Sequence, residues 1–321
     1  MRILLLGGPK FVGRALIDAA LEAGHELTLF NRGLTNPELY PYVERVHGDR
    51  DGGLGALAGR DWDAALDTCG YFPRLVRDAT QLLRDRVARY AFVSSVSVYA
   101  DLATGPDETS PVGTVEDETT EDLGAEHERY GPLKALCERE VQTAFGEGAL
   151  IVRPGLIVGP HDPTGRFTYW PHRLARGGEI LAPGPPERLV QFIDVRDLAA
   201  WTIGLLDAGH GGVFNATGTG VSWSDLLAGG RVTWVSDAFL GEQGVGEWME
   251  LPLWIGDPAM AGIHRTDVAR AVASGLRLRS LRETIADTLE QASLVDGVGL
   301  APERERALLD AWHAGSAQAT V

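Results

Sequence analysis

Gly7-Gly8-Pro9-Lys10-Phe11-Val12-Gly13 is the stretch of this 321-residue chain that decides the fold. It follows the apolar run 2–6, which predicts a buried strand, and it opens the helical pattern 11–23, which ends at Gly24. Glycines between a strand and a helix let the backbone turn tightly and approach a pyrophosphate at the helix N-terminus. The spacing fits G-x-x-G-x-x-G, with Lys10 at the place of the middle glycine. The alternative is a glycine-rich turn that binds nothing.

The rest of the first half repeats this alternation of short apolar runs and helical patterns. Strands are predicted at 26–30, 43–47, 64–67, 90–94 and 150–153, and helices at 73–85 and 130–145. Strand, helix and strand in this order favour parallel pairing with right-handed crossovers. The sequence therefore predicts an α/β fold, a Rossmann-like doubly wound parallel sheet.

The second half is less regular and is rich in Gly, Pro and Trp from residue 155 onward. A strand end followed by a helix is predicted at 192–206, a strand at 213–215, and helices at 280–293 and 302–313. We expect residues 1–154 and about 189–216 to form the dinucleotide-binding domain. Residues 155–188 and 217–321 then form a smaller C-terminal substrate-binding region.

Composition and charge narrow the function classes. The formal net charge of −16 argues against broad binding to nucleic acid, which needs Lys and Arg. The chain has no apolar run of about 18 residues, so we expect no membrane span. Two cysteines make no disulfide framework, which favours a cytoplasmic location. Segment 101–128 carries ten acidic and no basic residues, as either a solvated loop or a charged rim over a site.

The turns after the second and third strands bear on the choice of dinucleotide. An acidic residue after the second strand would bind the ribose 2′-hydroxyl, but here Asn31 and Arg32 stand in its place. Arg32 can pair with a 2′-phosphate, which favours NADP(H) over NAD(H), unless it is a solvated loop residue. Lys10 is expected near the same ribose. Asp49 either accepts a hydrogen bond from adenine or caps a turn.

Tyr130 and Lys134 carry the strongest chemical signal. Residues four apart on a helix project from one face, and here the pair opens the helix before the sixth strand. An ammonium near a phenol is expected to lower its pKa from about 10 and so promote proton transfer. Ser95, at the carboxyl end of the fifth strand, is placed to donate to a substrate oxygen, and Ser97 is the competing candidate.

These residues together resemble the extended short-chain dehydrogenase/reductases, the NAD-dependent epimerase/dehydratase group, in an atypical form. The resemblance also includes Gly48-Asp49, the Ser-Val-Ser-Val-Tyr run at 95–99, and the segments 153–160, 192–197 and 213–215. It implies that Ser95 and Tyr130 are catalytic and that Lys134 holds the nicotinamide ribose. It also implies a homodimer through the Tyr/Lys helix and the helix before it.

The resemblance extends to the binding residues. We expect the cofactor to be bound by Gly7, Gly8, Lys10, Phe11, Val12, Gly13, Asn31, Arg32, Asp49, Arg50, Thr68, Cys69, Tyr130, Lys134, Pro154 and Gly155. Ser97, His161 and Arg188 are the candidate substrate contacts, and no metal site is expected.

Two departures from the family pattern reduce the number of reactions that we expect of this chain. The Asp-Glu pair of 4,6-dehydratases is replaced by Val96 and Ser97, which disfavours dehydration. The stretch Pro154-Gly155-Leu156 lacks the Asn with which sugar-nucleotide epimerases contact the substrate diphosphate. We therefore predict an NADP(H)-dependent ketone reductase or alcohol dehydrogenase for a small polar, sugar-like or specialised metabolite. The alternatives are an NAD-dependent sugar epimerase and a non-catalytic dinucleotide-sensing or RNA-binding protein.

Overall fold

The computed structural model describes residues 1–318. In chain order the strands are β1 Arg2–Leu6, β2 Glu26–Asn31, β3 Glu44–His47, β4 Ala64–Asp67, β5 Arg89–Val93, β6 Ala149–Pro154, β7 Leu156–Val158, β8 Glu179–Pro183, β9 Leu189–Val190, β10 Phe192–Asp194, β11 Gly212–Ala216, β12 Val221–Ser222, β13 Arg231–Val235, β14 Glu247–Trp248 and β15 Leu251–Pro252. The α-helices are α1 Val12–Glu22, α2 Pro73–Leu83, α3 Tyr130–Phe145, α4 Tyr169–Arg176, α5 Val195–Asp207, α6 Trp223–Leu226, α7 Asp237–Glu242, α8 Ala269–Ala273, α9 Leu281–Gln291 and α10 Pro302–Gln318.

Seven parallel strands form the main sheet, in the order β11-β6-β5-β4-β1-β2-β3. Helices cover both faces, so strand residues are buried on alternate sides. Ile3 and Leu5 of β1 pack in the core that includes α1 and α5, whereas Leu4 and Leu6 pack in the core that includes α2 and α3. The predicted Rossmann-like doubly wound sheet is confirmed.

A second part of the chain has its own core, centred on fully buried Trp170 and Trp223. Two short parallel pairs, β7 with β10 and β8 with β13, contribute to it. Val190 and Phe192 pack here as well, although we assigned their segment to the dinucleotide-binding part. The sequence did not predict β8 and β13, because Pro183 ends one run and Arg231, Thr233 and Trp234 give the other a mixed polarity.

The order of strands places the functional edge. β1 is flanked by β2 and β4, so the chain reverses its winding direction there, and ligands of such sheets bind at the carboxyl ends beside that point. The glycine loop follows β1, and Thr68 follows β4. Within residues 1–318, no helix is long and apolar enough to cross a bilayer. The same residues include no cluster of three metal-ligating side chains.

Candidate active site

The glycine loop adopts a conformation that only glycine accommodates at two positions. Gly7 has φ 142°, and a Cβ there would overlap the Thr68 hydroxyl. A Cβ on Gly13 would overlap the carbonyl oxygen of Gly8, so the first turn of α1 closes directly on the loop. At Gly8 itself a Cβ would meet no atom within 4 Å. The backbone at Gly8 is therefore open to a ligand.

The N-terminus of α1 is free to receive an anion. No side chain caps it, and its first turn has no acidic residue. Phe11 precedes it with φ 43°, Val12 is its half-buried first residue, and Lys10 is exposed beside it. Unpaired N–H groups and the helix dipole favour negative charge at such an end.

A cavity of about 320 Å³ lies beside this loop and is lined by the turns after β2, β3 and β4. Its walls include seven residues expected to contact the cofactor: Gly7, Gly8, Asn31, Arg32, Asp49, Arg50 and Cys69. The position and mixed polar and apolar lining fit the adenosine half of a dinucleotide.

The side chain of Asn31 ties the end of β2 to the glycine loop. Its amide donates to the carbonyl of Gly7 at 3.0 Å and accepts from the N–H of Gly33 at 2.9 Å. Arg32 is exposed, with a guanidinium nitrogen 3.9 Å from a carboxylate oxygen of Asp49. Asp49 also accepts from the backbone of Asp51 at 3.0 Å, as in a turn. Arg32 and Arg50 are the cationic side chains among the described residues that line this cavity, and Arg32 is the exposed one.

Arg50 is engaged inside the protein rather than directed at a ligand. It makes two 2.6 Å hydrogen bonds to the fully buried carboxylate of Asp67, and it also donates to Cys69 Sγ and to the carbonyl of Leu75. Tyr90 donates to the same carboxylate at 2.7 Å. Burial raises the pKa of the Cys69 thiol to about 11, so it is no nucleophile. Arg50 and Cys69 contribute shape to the cavity.

The catalytic candidates meet where α3 packs against the turn after β5. Tyr130 is the first residue of α3, and Ser95 lies near enough to act on its phenol. The Ser95 hydroxyl donates to Ser97 Oγ at 3.0 Å and accepts from the Ser97 backbone at 3.1 Å. Gly131 lies so close to the Ser97 carbonyl oxygen that a Cβ would overlap it. The structure thus brings Ser95, Ser97 and Tyr130 together through a contact that requires glycine.

The electrostatic state of Tyr130 differs from the sequence expectation. Its pKa is raised to about 12, mainly by burial and also by Tyr71, while the nearby Ser95 side chain opposes the rise. Lys134 is buried, and its ammonium donates to the carbonyls of Gly70 at 2.8 Å and Val93 at 2.7 Å. Burial lowers the pKa of Lys134 to about 8. The expected lowering of the Tyr130 pKa by Lys134 is absent here, because burial dominates and the ammonium is turned to those carbonyls.

Tyr71 is a site residue that the sequence reasoning missed. Its ring centroid is 6.4 Å from that of Tyr130 and 5.6 Å from the Lys134 ammonium. It also lines the cofactor cavity. A Tyr four residues after the end of β4 has no distinctive spacing, so only folding relates it to α3.

The segment after β6 passes the same edge of the sheet. Pro154 ends β6, and the N–H of Gly155 donates to the carbonyl of Ala216 at 3.1 Å. A Cβ on Gly155 would lie 2.7 Å from the Thr217 hydroxyl oxygen. His161, further on, is largely exposed with φ 64°, and partial desolvation and the charge of Arg14 lower its pKa.

Arg188 lies apart from these groups, in the second part of the chain. Its guanidinium donates to both carboxylate oxygens of Asp237 at 2.9 and 2.7 Å, and Trp254 donates to the same carboxylate at 2.8 Å. These three residues line a cavity of about 410 Å³.

The acidic segment is held against α2 and α3. Glu121 pairs with Arg74 of α2 at 2.5 Å, and Glu118 pairs with Arg139 of α3 at 2.5 Å. The same Arg74 pairs with Asp51, beside the cofactor cavity, at 2.9 Å. The segment is therefore held to the protein by ion pairs, and Arg74 links it to the edge of the cofactor cavity.

A glycine cradle at a helix N-terminus, combined with a Ser, Tyr and Lys set at the same sheet edge, has a counterpart among known families. Residues 67–217 match the NAD dependent epimerase/dehydratase family. The match begins at Asp67 of β4 and includes Ser95, Tyr130 and Lys134. The match bears out the resemblance inferred from the sequence for this part of the chain, and solved epimerase structures share the fold.

Two curated relatives resemble much of the chain. The chloroplast stem-loop binding protein of 41 kDa b of Arabidopsis thaliana is 24% identical over 247 residues, which are 71% of this chain and 61% of that protein. The epimerase family protein SDR39U1 of Bos taurus is 28% identical over 233 residues, 65% of this chain and 71% of that protein. The chain thus spans less than two thirds of the first of these relatives.

Solved structures share the fold at low identity. The UDP-glucuronic acid 4-epimerase of Bacillus cereus, solved in complex with NAD, superposes with a TM-score of 0.63 at 14% identity. The superposition includes 91% of this chain and 98% of that one.

Proposed function

We propose that the chain is an NADP(H)-dependent oxidoreductase that reduces a ketone, or oxidises the corresponding alcohol, of a small polar metabolite. The observation that carries this proposal is the close contact of Gly131 with the Ser97 carbonyl, which brings Tyr130 beside Ser95 at the carboxyl edge of the sheet, with buried Lys134 one turn along α3. The free N-terminus of α1 and exposed Arg32 support a phosphorylated dinucleotide as the partner of this set.

The residues present fit a dinucleotide. The open backbone at Gly8 and the N-terminus of α1 would hold its pyrophosphate, and Arg32 would pair with a 2′-phosphate. When bound, NADP(H) supplies or accepts the hydride. Tyr130 is protonated at neutral pH and would give its proton to a carbonyl oxygen in the direction of reduction. Its raised pKa opposes this transfer, because an efficient proton donor has a pKa near the working pH. Ser95 donates a hydrogen bond to the same oxygen and stabilises its developing charge.

Substitution of Tyr130 by Phe tests the proposal. The rate of NADPH consumption with small ketoses such as dihydroxyacetone and D-fructose would be compared between the wild type and Tyr130→Phe. We expect turnover to fall about 10²–10⁴-fold, the usual contribution of a proton donor, with the NADPH dissociation constant unchanged. Tyr42→Phe is the matched control, because Tyr42 is 76% exposed. Equal turnover of Tyr130→Phe and the wild type contradicts the proposal.

A second candidate is an NAD-dependent sugar epimerase. It is supported by the family match and by the epimerases among the similar folds. An epimerase regains its oxidised cofactor in each cycle and therefore holds it tightly. NAD⁺ released stoichiometrically on denaturing the purified protein, with no exchange against added NADPH, would favour this candidate over the reductase.

A further inference from the structure

The cavity of about 410 Å³ in the second part of the chain has walls that are mostly apolar. Its lining residues differ from those of the cavity beside the glycine loop. Leu189 is 43% exposed, Ile255 is half-buried, and Pro258 and Ala261 are exposed, so these side chains border open space rather than a packed core. Cavities of this size with apolar walls and few polar groups are typical of small-molecule sites.

One wall of this cavity is a fixed polar group. Arg188 donates to the two carboxylate oxygens of Asp237 at 2.9 and 2.7 Å, and the indole N–H of Trp254 donates to the same carboxylate at 2.8 Å. The charge of Arg188 is therefore neutralised. A guanidinium has five N–H groups, of which the described residues occupy two here. Because the Arg188 side chain is 27% exposed, its other N–H groups are accessible to a ligand in the cavity.

Arg265 brings an unbalanced positive charge to the same cavity. It is exposed, lines the cavity, and donates to the carbonyl of Ala103 at 2.9 Å. Among residues 1–318, no carboxylate forms an ion pair with it. His264, which also lines the cavity, is neutral at pH 7, because burial lowers its pKa to about 4. Since Arg188 and Asp237 cancel, the lining carries one net positive charge, that of Arg265.

We propose that this cavity binds a small aromatic carboxylate. The apolar walls and Trp254 receive the ring, Arg265 pairs with the carboxylate, and the remaining N–H groups of Arg188 donate to an oxygen of the ligand. A neutral arene would leave Arg265 unpaired, and a nucleoside diphosphate carries more negative charge than one arginine balances. The −16 charge of the chain acts mostly over distances that salt screens beyond about 8–10 Å, whereas Arg265 acts at contact.

A short helix, Pro258–Arg265, contacts both this cavity and the catalytic turn. Ala261 of this helix lines the cavity, whereas Ile263 packs in the hydrophobic cluster that includes Val96 and Val98 of the turn after β5. The ligand site is therefore built next to the catalytic turn, with one element in common. The proposal goes beyond the proposed oxidoreductase, because neither a dinucleotide nor a proton transfer takes part in the binding.

Isothermal titration calorimetry on the full chain, without added dinucleotide, tests the ligand class. The titrations would compare 2-naphthoate with 2-naphthalenemethanol, acetate and UDP. We expect 2-naphthoate to bind and the other three to bind at least about 10-fold more weakly. The alcohol lacks the charge, acetate lacks the ring, and UDP brings a diphosphate that the lining does not balance.

Two pairs of variants locate the binding. Ala261→Trp should abolish measurable binding, because the indole fills the cavity from an exposed position that is not part of the core. Ala259→Trp is the matched control, since Ala259 is an exposed residue of the same short helix outside the cavity lining. Arg265→Gln should weaken binding about 5-fold, the upper value for an exposed ion pair. Arg84→Gln, at a side chain that is 60% exposed, should leave binding unchanged.

Three results overturn the proposal: no binding of 2-naphthoate to the wild type, binding of the alcohol or UDP as tight as that of 2-naphthoate, or 2-naphthoate binding that survives Ala261→Trp. If Ala261→Trp fails to fold, Arg265→Gln and the comparison of ligands on the wild type still decide the point. These titrations involve no turnover. An active Tyr130→Phe variant therefore overturns the proposed oxidoreductase alone, and a failed 2-naphthoate titration overturns this site alone.

Discussion

Gly131 lies against the carbonyl oxygen of Ser97, at a distance that leaves no room for a side chain on residue 131. This contact presses the first turn of α3 onto the turn that follows β5. It places Tyr130, the preceding residue, beside Ser95. The catalytic arrangement therefore depends on a residue that has no functional group.

Alanine at position 131 should disturb both stability and catalysis. The added Cβ must displace either α3 or the Ser97 turn, and such overpacking costs about 1–3 kcal/mol. Because the displacement separates Tyr130 from Ser95, we expect turnover to fall more than the free energy of unfolding accounts for. Chemical denaturation and steady-state rates on the same Gly131→Ala preparation measure the two effects.

Gly204→Ala is the matched control for that substitution. Gly204 lies inside α5, and a Cβ there would meet no atom within 4 Å. Alanine is a better helix former than glycine, so this variant should gain about 0.5–1 kcal/mol. If Gly131→Ala matched Gly204→Ala in stability and rate, the contact with Ser97 would place no restriction on the size of residue 131.

The sequence predicted the elements of the site better than their internal contacts. The glycine loop and the Tyr130/Lys134 pair were visible because their spacing is local. The pairing of Arg50 with Asp67 joins the turn after β3 to the end of β4, and no local pattern reports it. The same holds for Tyr71, whose relation to Tyr130 exists only once the two segments meet.

The buried pair of Arg50 and Asp67 should be sensitive to loss of its carboxylate. Asp67→Asn leaves the Arg50 guanidinium, which is largely buried, without a counter-charge. Removing one partner of a buried ion pair costs about 3–5 kcal/mol. We therefore expect the denaturant midpoint to fall. We also expect Arg50 to leave its place in the wall of the cofactor cavity.

Asp85→Asn serves as the control, since the Asp85 side chain is 87% exposed and its contact with Arg84 is 3.6 Å long. A surface change of this kind is expected to alter stability by no more than about 0.5 kcal/mol. A denaturant midpoint for Asp67→Asn that equals the control would contradict the assignment of a structural role to this pair.

Arg32 should set the preference between the two dinucleotides. It lies exposed on the wall of the cavity, 3.9 Å from Asp49, so its charge is available to a 2′-phosphate. We expect Arg32→Ala to weaken NADPH binding about 10-fold, or ~1.4 kcal/mol, while NADH binding stays the same. Fluorescence titration of both dinucleotides measures this difference, with Arg60→Ala, another exposed arginine, as the control. A wild type that prefers NADH would overturn the assignment of NADP(H).

His264 should make the stability depend on pH in a defined window. It is buried and neutral: Nδ1 accepts from the backbone of Gln191 at 3.1 Å, and Nε2 then donates to the carbonyl of Leu253 at 3.1 Å. Burial lowers its pKa to about 4, whereas an unfolded histidine titrates near 6.5. Its contribution is therefore complete above pH ~6.5, where both states are neutral. This contribution is lost as the pH falls toward 4, because the unfolded state binds a proton that the folded state does not bind.

The expected loss is ~1.4 kcal/mol for each pH unit between about 6.5 and 4, or about 3 kcal/mol in total. The free energies of unfolding of the wild type and of His264→Gln would be measured by urea titration across this range. The difference between the two should change with pH by that slope. His264→Gln is expected to be less stable at pH 7 but to lose less stability on acidification. His210→Gln, at an exposed histidine, should follow the wild-type slope. Parallel curves for His264→Gln and the wild type would mean that His264 binds its proton equally well in the folded and unfolded states, contrary to its two backbone hydrogen bonds.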